Sequence, residues 1–322
     1  MTNRTPDGPD GLFFGSGRGT LSFDEFRVQL NLSDTATEPT PAQLDLAMDF
    51  ATIQRRRYDQ NEFRETLRRQ IATRDGSVLM FVHGYNNSYQ EALFRLAQIS
   101  AGDDRKTVPL LFSWPSSAEV RGYVADRDAA MYARDNLVQT LIMLTDVQPQ
   151  GTIDIIAHSM GAWLLMEAMR QLRLQGRDDV VSRLQVGLAA PDIDLDVFRS
   201  QIQTIGKLDP PLTVLVSKDD RALAISRRIS GGRMRLGMVD ISDPAVQKLG
   251  QQAGIRFVDL TSMPAITAAR HDRFVAAAAL YDNATRRSTL GQTLSVGAYA
   301  LDASGRLLSS PFSATARILD GY

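Results

Sequence analysis

The chain has 322 residues, 43% hydrophobic and 23% charged, with a formal net charge of −1. That balance suits a globular protein with a sizeable core, and the net charge gives no electrostatic reason to expect nucleic acid or an anionic membrane as partner. Cysteine is absent, which excludes disulfides, thiolate catalysis and thiolate metal sites.

In chain order, the polar residues 1–11 hold no apolar core of a signal peptide, and no run approaches the roughly 18 apolar residues of a membrane span. The expectation is a soluble, cytoplasmic protein. Residues 1–20, rich in Gly, Pro, Asp and Arg, read as a flexible N-terminus. Residues 21–32 read as an irregular edge strand. Residues 39–71 read as helical, with Phe63, Leu67 and Ile71 along one face and Arg55, Arg56 and Arg57 on a solvated one. Residues 77–82 are an apolar run of buried-strand length that ends in His83-Gly84-Tyr85-Asn86-Asn87. Ser88 and Glu91 then form a capping box for a helix whose buried stripe is Leu93, Leu96, Ala97 and Ile99. Val108–Phe112 repeats the strand and closes at Ser113-Trp114-Pro115-Ser116. Residues 126–146 are helical, with Ala133, Leu137, Leu141 and Leu144 inward. Further strands follow at 152–157, 184–189, 212–216 and 256–260. Uncharged strands alternating with amphipathic helices predict a mostly parallel sheet with helices on both faces, an α/β class. In such sheets sites form at the carboxyl ends of the strands, where each polar cluster of this chain falls. Residues 230–254 are either a flap near a site or a surface loop. The domain proper is expected over 21–281, with 282–322 a C-terminal extension that is an edge strand, around 293–301, or a loose tail.

One junction stands out. Residues 152–161, T-I-D-I-I-A-H-S-M-G, run as a strand and break into a helix at Ser159. A turn that tight pushes the serine hydroxyl off the end of the sheet and demands small residues two before and two after it. Ala157 and Gly161 hold those places, Ala157 being a departure from the usual glycine. The N–H of Met160, at the positive end of the helix dipole, meets an oxyanion formed beside Ser159. The competing reading makes Ser159 an ordinary helix N-cap.

A nucleophilic serine needs a base, and the base needs an acid that holds its tautomer. Three histidines are available. His158 neighbours Ser159, and adjacent side chains diverge. His83 sits before a glycine at a strand end, where its ring braces the loop or, as the less favoured reading, serves as the base. His271, past the last strand, is the preferred base; its competing role is that of a surface histidine. For the acid, Asp219 and Asp220 directly follow the fifth strand. Asp220 is preferred because it begins a helix; Asp219 and Asp192 stay open as alternatives.

Val82-His83-Gly84-Tyr85, Ala157-His158-Ser159-Met160-Gly161, Ser217-Lys218-Asp219-Asp220 and His271 together resemble the α/β-hydrolase fold, in its order of nucleophile, acid and histidine. More narrowly, F-V-H-G-Y-N-N-S, F-S-W-P-S and A-H-S-M-G are similar to a largely uncharacterised bacterial esterase/lipase-like group. The resemblance covers roughly residues 75–280. It implies Ser159 as nucleophile, His271 as base and Asp220 as its orienter. The backbone N–H groups of Tyr85 and Met160 would form the oxyanion hole, with His83, Trp114 and His158 near a pocket. The implied activity is hydrolysis of small-molecule carboxylic esters through an acyl-enzyme, with no metal and no cofactor. An acyltransferase, a peptidase or a non-catalytic scaffold on the same fold are the alternatives. The oligomeric state is not legible.

Overall fold

A computed structural model describes residues 1–7, 13–32, 48–74, 76–101, 107–263, 265, 267–275 and 317–319. They divide into two units, Met1–Leu184 and Gln185–Tyr322.

The first unit opens with three antiparallel strands, β1 (Thr2–Asp7), β2 (Phe13–Leu32) and β3 (Met48–Tyr58), in the order β1-β2-β3. Two expectations are corrected here and a third is extended. The N-terminus is not loose throughout: Thr2, Asn3 and Arg4 are buried, and Thr2 bridges Ser113. Residues 21–32 form the second half of β2: Phe23–Leu32 pair with β3 alone, while β1 takes the half from Phe13 to Ser22. The helix expected over 39–71 starts only at Gln60; residues 48–58 form β3, and 39–47 lie outside the described residues. The cause is cross-strand pairing. Asp24 stands opposite Arg57, and Glu25 opposite Arg56, so unlike charges face each other along the hairpin. Arg55 is not solvated: it donates to Asp24 at 2.8 Å and lies 4.7 Å over the Phe14 ring. The true helix start, α1 (Gln60–Ala72), is set by a capping box between Asp59 and Glu62, and Phe63, Leu67 and Ile71 are its buried face.

Then come β4 (Val78–Val82), α2 (Tyr89–Ala101), β5 (Val108–Phe112), α3 (Tyr123–Val147), β6 (Ile153–His158), α4 (Met160–Leu174) and the short α5 (Asp178–Val181). β4 is central and parallel to both neighbours, with Val82 opposite Phe112 on one side and Ala157 on the other. Its five residues are all buried, as a two-sided apolar strand requires. Ala133, Leu137, Leu141 and Leu144 of α3 are fully buried; each such leucine contributes roughly 1.5–3 kcal/mol. Ser88 and Glu91 exchange their capping hydrogen bonds at the start of α2. Ala92, Leu96 and Ile99 are buried there, while Leu93 and Ala97 are half-buried.

The second unit holds β7 (Leu184–Ala189), α6 (Leu195–Ile205), β8 (Leu212–Val216), α7 (Arg221–Ile229), α8 (Pro244–Ala253), β9 (Ile255–Asp259) and β10 (Arg317–Leu319). β8 runs parallel to β7 and β9, and β10 pairs antiparallel with β9. Residues 230–254 are not a loop throughout. They contain a 3-10 turn, Leu236–Met238, and α8, which Asp243 caps and Gly254 ends in the left-handed region at φ 64°. The edge strand considered at 293–301 lies outside the described residues; Arg317–Leu319 takes an edge position on β9. Among the described residues no helix is long and apolar enough to cross a membrane.

Candidate active site

Ser159 joins β6 to α4 with φ 53° and ψ −121°, a backbone conformation rare for a residue with a side chain. It stands at the N-cap position, yet its side chain makes no capping hydrogen bond. The ordinary-cap reading of Ser159 is therefore not what the geometry shows. Two glycines make the turn possible. A Cβ at Gly161 would lie 2.2 Å from the His83 carbonyl oxygen and 2.7 Å from that of Val82, so the first turn of α4 packs directly onto the end of β4. A Cβ at Gly84 would lie 2.8 Å from Ser159 Cβ and 2.9 Å from His158 Nδ1. The loop after β4 thus rests against the serine turn. Ala157 is fully buried. Met160, as the first residue of α4, has no helical acceptor for its N–H. The Tyr85 N–H takes no backbone acceptor among the described residues.

The loop after β4 is braced from below. His83 is buried and stacked on Trp114, with ring centroids 4.8 Å apart and planes at 12°. The Trp114 N–H lies 3.1 Å from His83 Nε2 and can only donate, so Nε2 accepts and Nδ1–H donates to the Gly84 carbonyl at 2.8 Å. Burial, and then the Arg4 charge, lower the pKa of His83 to about 3. A neutral ring with both nitrogens bonded is a brace, not a base. Trp114 is fully buried and donates from its indole to the His83 carbonyl at 2.7 Å; it is a core residue and offers no surface to a pocket. His158 is half-buried beside Gly84.

Two side chains that the sequence reading passed over complete the brace. Arg4, buried in β1, donates to the carbonyls of Asn87, Ser116 and Gly15 at 2.8, 3.0 and 3.1 Å, and to Ser113 Oγ at 2.9 Å. Burial lowers its pKa to about 10, and the Asp126 charge opposes that shift, so it stays a cation near neutral pH. Asp126, in the first turn of α3, accepts from Ser116 Oγ at 2.5 Å and from the N–H groups of Ser117 at 2.7 Å and Asn86 at 3.2 Å. One cation and one carboxylate thereby tie the loops after β4 and β5 together. Neither residue sits in a local motif. Asp126 is an ordinary first-turn acid by pattern, and an arginine in a Gly/Pro-rich terminus carries no signal at all.

In the second unit, β8 ends at Ser217-Lys218-Asp219-Asp220. Asp220 is buried and uses both carboxylate oxygens. Oδ1 accepts from the Leu223 N–H at 2.9 Å, capping α7, and Oδ2 accepts from His271 Nδ1–H at 2.6 Å. Burial alone would lower the pKa of His271; the charge and hydrogen bond of Asp220, together with the charges of Asp192 and Asp272, more than offset it, and the pKa is raised. Asp219 has another role. It accepts from Arg270 at 2.5 Å, and it is bonded to Arg273 and Ser217. The Arg273 hydrogen bond is the first cause holding its carboxyl well below the usual range. This clamp fixes the segment that carries His271, which turns at Arg270 with φ 58°. Asp192 accepts from Ser226 Oγ at 2.6 Å and lies 3.3 Å from Arg235. Its charge also helps to raise the pKa of His271. Of the three aspartates considered from sequence, Asp220 is the one hydrogen-bonded to the imidazole.

Comparison with known proteins agrees with this architecture. A family described as "Alpha/beta hydrolase of unknown function (DUF900)" matches residues 59–288. A stretch of 61 residues is 34% identical to the protein named "Uncharacterized protein alr1448" of Nostoc sp. (strain PCC 7120); it makes up 19% of this chain and 16% of that protein.

Proposed function

The chain belongs to that α/β-hydrolase family, and from this premise we propose that it is a serine hydrolase acting on carboxylic esters through an acyl-enzyme on Ser159. The observation that carries the reading is the strained, uncapped Ser159 between β6 and α4, with the Gly84 loop against it. Such a turn costs of order 1–3 kcal/mol, a cost that a mere helix start does not require.

In the proposed cycle Ser159 Oγ attacks the acyl carbonyl while His271 Nε2 takes its proton. Asp220 keeps the proton of the neutral ring on Nδ1, leaves Nε2 free to accept, and stabilises the imidazolium. The tetrahedral oxyanion is received by the N–H groups of Met160 and Tyr85, each contributing about 3 kcal/mol to the barrier. The intermediate then collapses, and His271 returns the proton to the leaving alcohol. Water, deprotonated by the same ring, attacks the acyl-enzyme; the bond from the acyl carbon to Ser159 Oγ breaks, the imidazolium returns its proton to Oγ, and the acid is released.

Ser159→Ala tests the reading. Turnover of a p-nitrophenyl ester and labelling by a fluorophosphonate should both disappear while the circular dichroism spectrum stays unchanged. Full activity in that variant sinks the assignment.

A further inference from the structure

The net charge of −1 conceals a local asymmetry in the second unit. From Arg221 to Val239 the chain carries Arg221, Arg227, Arg228, Arg233 and Arg235 and no acidic residue. Arg235 is buried against Asp192, but Arg221, Arg227, Arg228 and Arg233 are exposed. Arg233 has a weak surface partner in Asp196 at 3.3 Å. Arg221, Arg227 and Arg228 form no ion pair among the described residues. The same stretch leaves large aliphatic side chains in solvent: Ile225 is 57% exposed, Ile229 55% and Met234 39%. On α7, Leu223 and Ser226 face inward. Helical spacing then puts Arg221, Ile225, Arg228 and Ile229 together on the outer side. Aliphatic and guanidinium groups thus share one exposed face.

We propose that this face, α7 together with the following turn through Met234, is a docking surface for an anionic lipid interface. Ile225, Ile229 and Met234 would enter the boundary between headgroups and acyl chains, and Arg221, Arg227, Arg228 and Arg233 would meet lipid phosphates. Charge selects the partner's sign. The side chains select its class: single-stranded nucleic acid is held by aromatic rings on which bases stack, and residues 221–239 contain no aromatic residue. Two exposed isoleucines one turn apart instead suit hydrocarbon. The surface begins one residue after Asp220, so lipid bound here would lie beside the acid that orients His271. The inference does not depend on the proposed chemistry of Ser159, and the experiment separates the two.

The test is co-sedimentation of the full chain with vesicles. Wild type should bind phosphatidylcholine vesicles containing phosphatidylglycerol, bind pure phosphatidylcholine far less, and lose binding as salt rises. Each arginine near such a surface is worth roughly a fivefold gain in partition, so Arg227→Glu with Arg228→Glu should lower binding at least about 25-fold. Ile225→Ser with Ile229→Ser should lower it roughly tenfold or more. Both double variants should turn over a water-soluble ester at the wild-type rate, and Ser159→Ala should bind vesicles like wild type. Equal binding to neutral and anionic vesicles overturns the proposal, as does undiminished binding by the variants. So does arginine-dependent capture of a single-stranded oligonucleotide without vesicle binding. A dimer that Ile225→Ser with Ile229→Ser dissociates, again without vesicle binding, would assign the face to a second copy of this chain.

Discussion

Asp219 and Asp220 are adjacent, and their surroundings give them opposite roles. Asp219 is half in solvent, tied to two arginines and a serine. Asp220 is buried, with one oxygen on a helix N–H and the other on His271. Asp220→Asn preserves shape but leaves the ring without the anion that fixes its tautomer. Its kcat/KM should fall about a thousandfold to ten-thousandfold, with the melting temperature little changed. Asp219→Asn should do the reverse, lowering the melting temperature while kcat stays within about tenfold. Paired kinetics and thermal melts distinguish the two; equal kinetic losses would break the assignment of roles. The pH profile follows from the same contact. In the proposed cycle His271 can serve as base only when neutral, and its pKa is raised. Activity should therefore drop as pH falls through a value above that of an ordinary imidazole. A charge-neutral partner removes part of the rise, so the acid limb of the rate profile should move to lower pH in Asp220→Asn. An unmoved limb would mean that another group controls it.

At the scale of elements, the parallel strands were legible because each is a short apolar run ended by a polar turn. Val108–Phe112 and Leu212–Val216 have the bounds that pattern suggests. The N-terminal hairpin was not legible. The helical spacing of Phe63, Leu67 and Ile71 extends backward over residues whose partners lie far off in sequence, and Asp24 opposite Arg57 cannot be read from a local window. The candidate site divides in the same way. Ser159, Asp220 and His271 sit in or beside strand-end motifs, whereas Arg4 reaches Ser113 across 109 positions and Asn87 across 83. That reach gives Arg4 a consequence for the loop after β4. Arg4→Met keeps the packing stem and removes every donor, leaving the Asn87 and Ser116 carbonyls without their cation. We expect a lower melting temperature and roughly a tenfold loss in kcat with KM nearly constant, because the proposed bond from the Tyr85 N–H to the oxyanion is made only in the transition state. Arg4→Lys should restore little of kcat, since one ammonium cannot span the fork of contacts. A change confined to KM, or rescue by lysine, would argue against this positioning role.

At the scale of the whole molecule, several perturbed groups shape stability against pH; His271, Asp219 and His83 do so with differing signs, and the buried Met1 amino group, its pKa lowered to about 6, acts above the His83 window. His271 has a raised folded pKa, so its contribution is complete below the ordinary imidazole value and disappears as pH rises through the folded one. Asp219 has a lowered folded pKa; its contribution is present above the ordinary carboxylate value and disappears as pH falls through the folded one. His83 resembles Asp219 in sign although it is a base. Its folded pKa is about 3, so between the ordinary imidazole value and that point the unfolded chain binds one more proton than the folded one. The His83 contribution to stability should therefore start to fall below about pH 6.5, well before carboxylates protonate, by about 1.4 kcal/mol per pH unit. For a chain of this size that is on the order of 2 °C of melting temperature per unit. The buried ring between Arg4 and Trp114 is the group responsible, because protonating it sets a second cation beside the guanidinium and removes the acceptor of the Trp114 N–H. His83→Gln cannot titrate. It should melt lower at neutral pH than wild type, yet show a flat melting temperature from pH 6.5 down to the carboxylate range. Thermal melts of both proteins across that range decide the matter: parallel slopes would show that the early acid loss originates elsewhere.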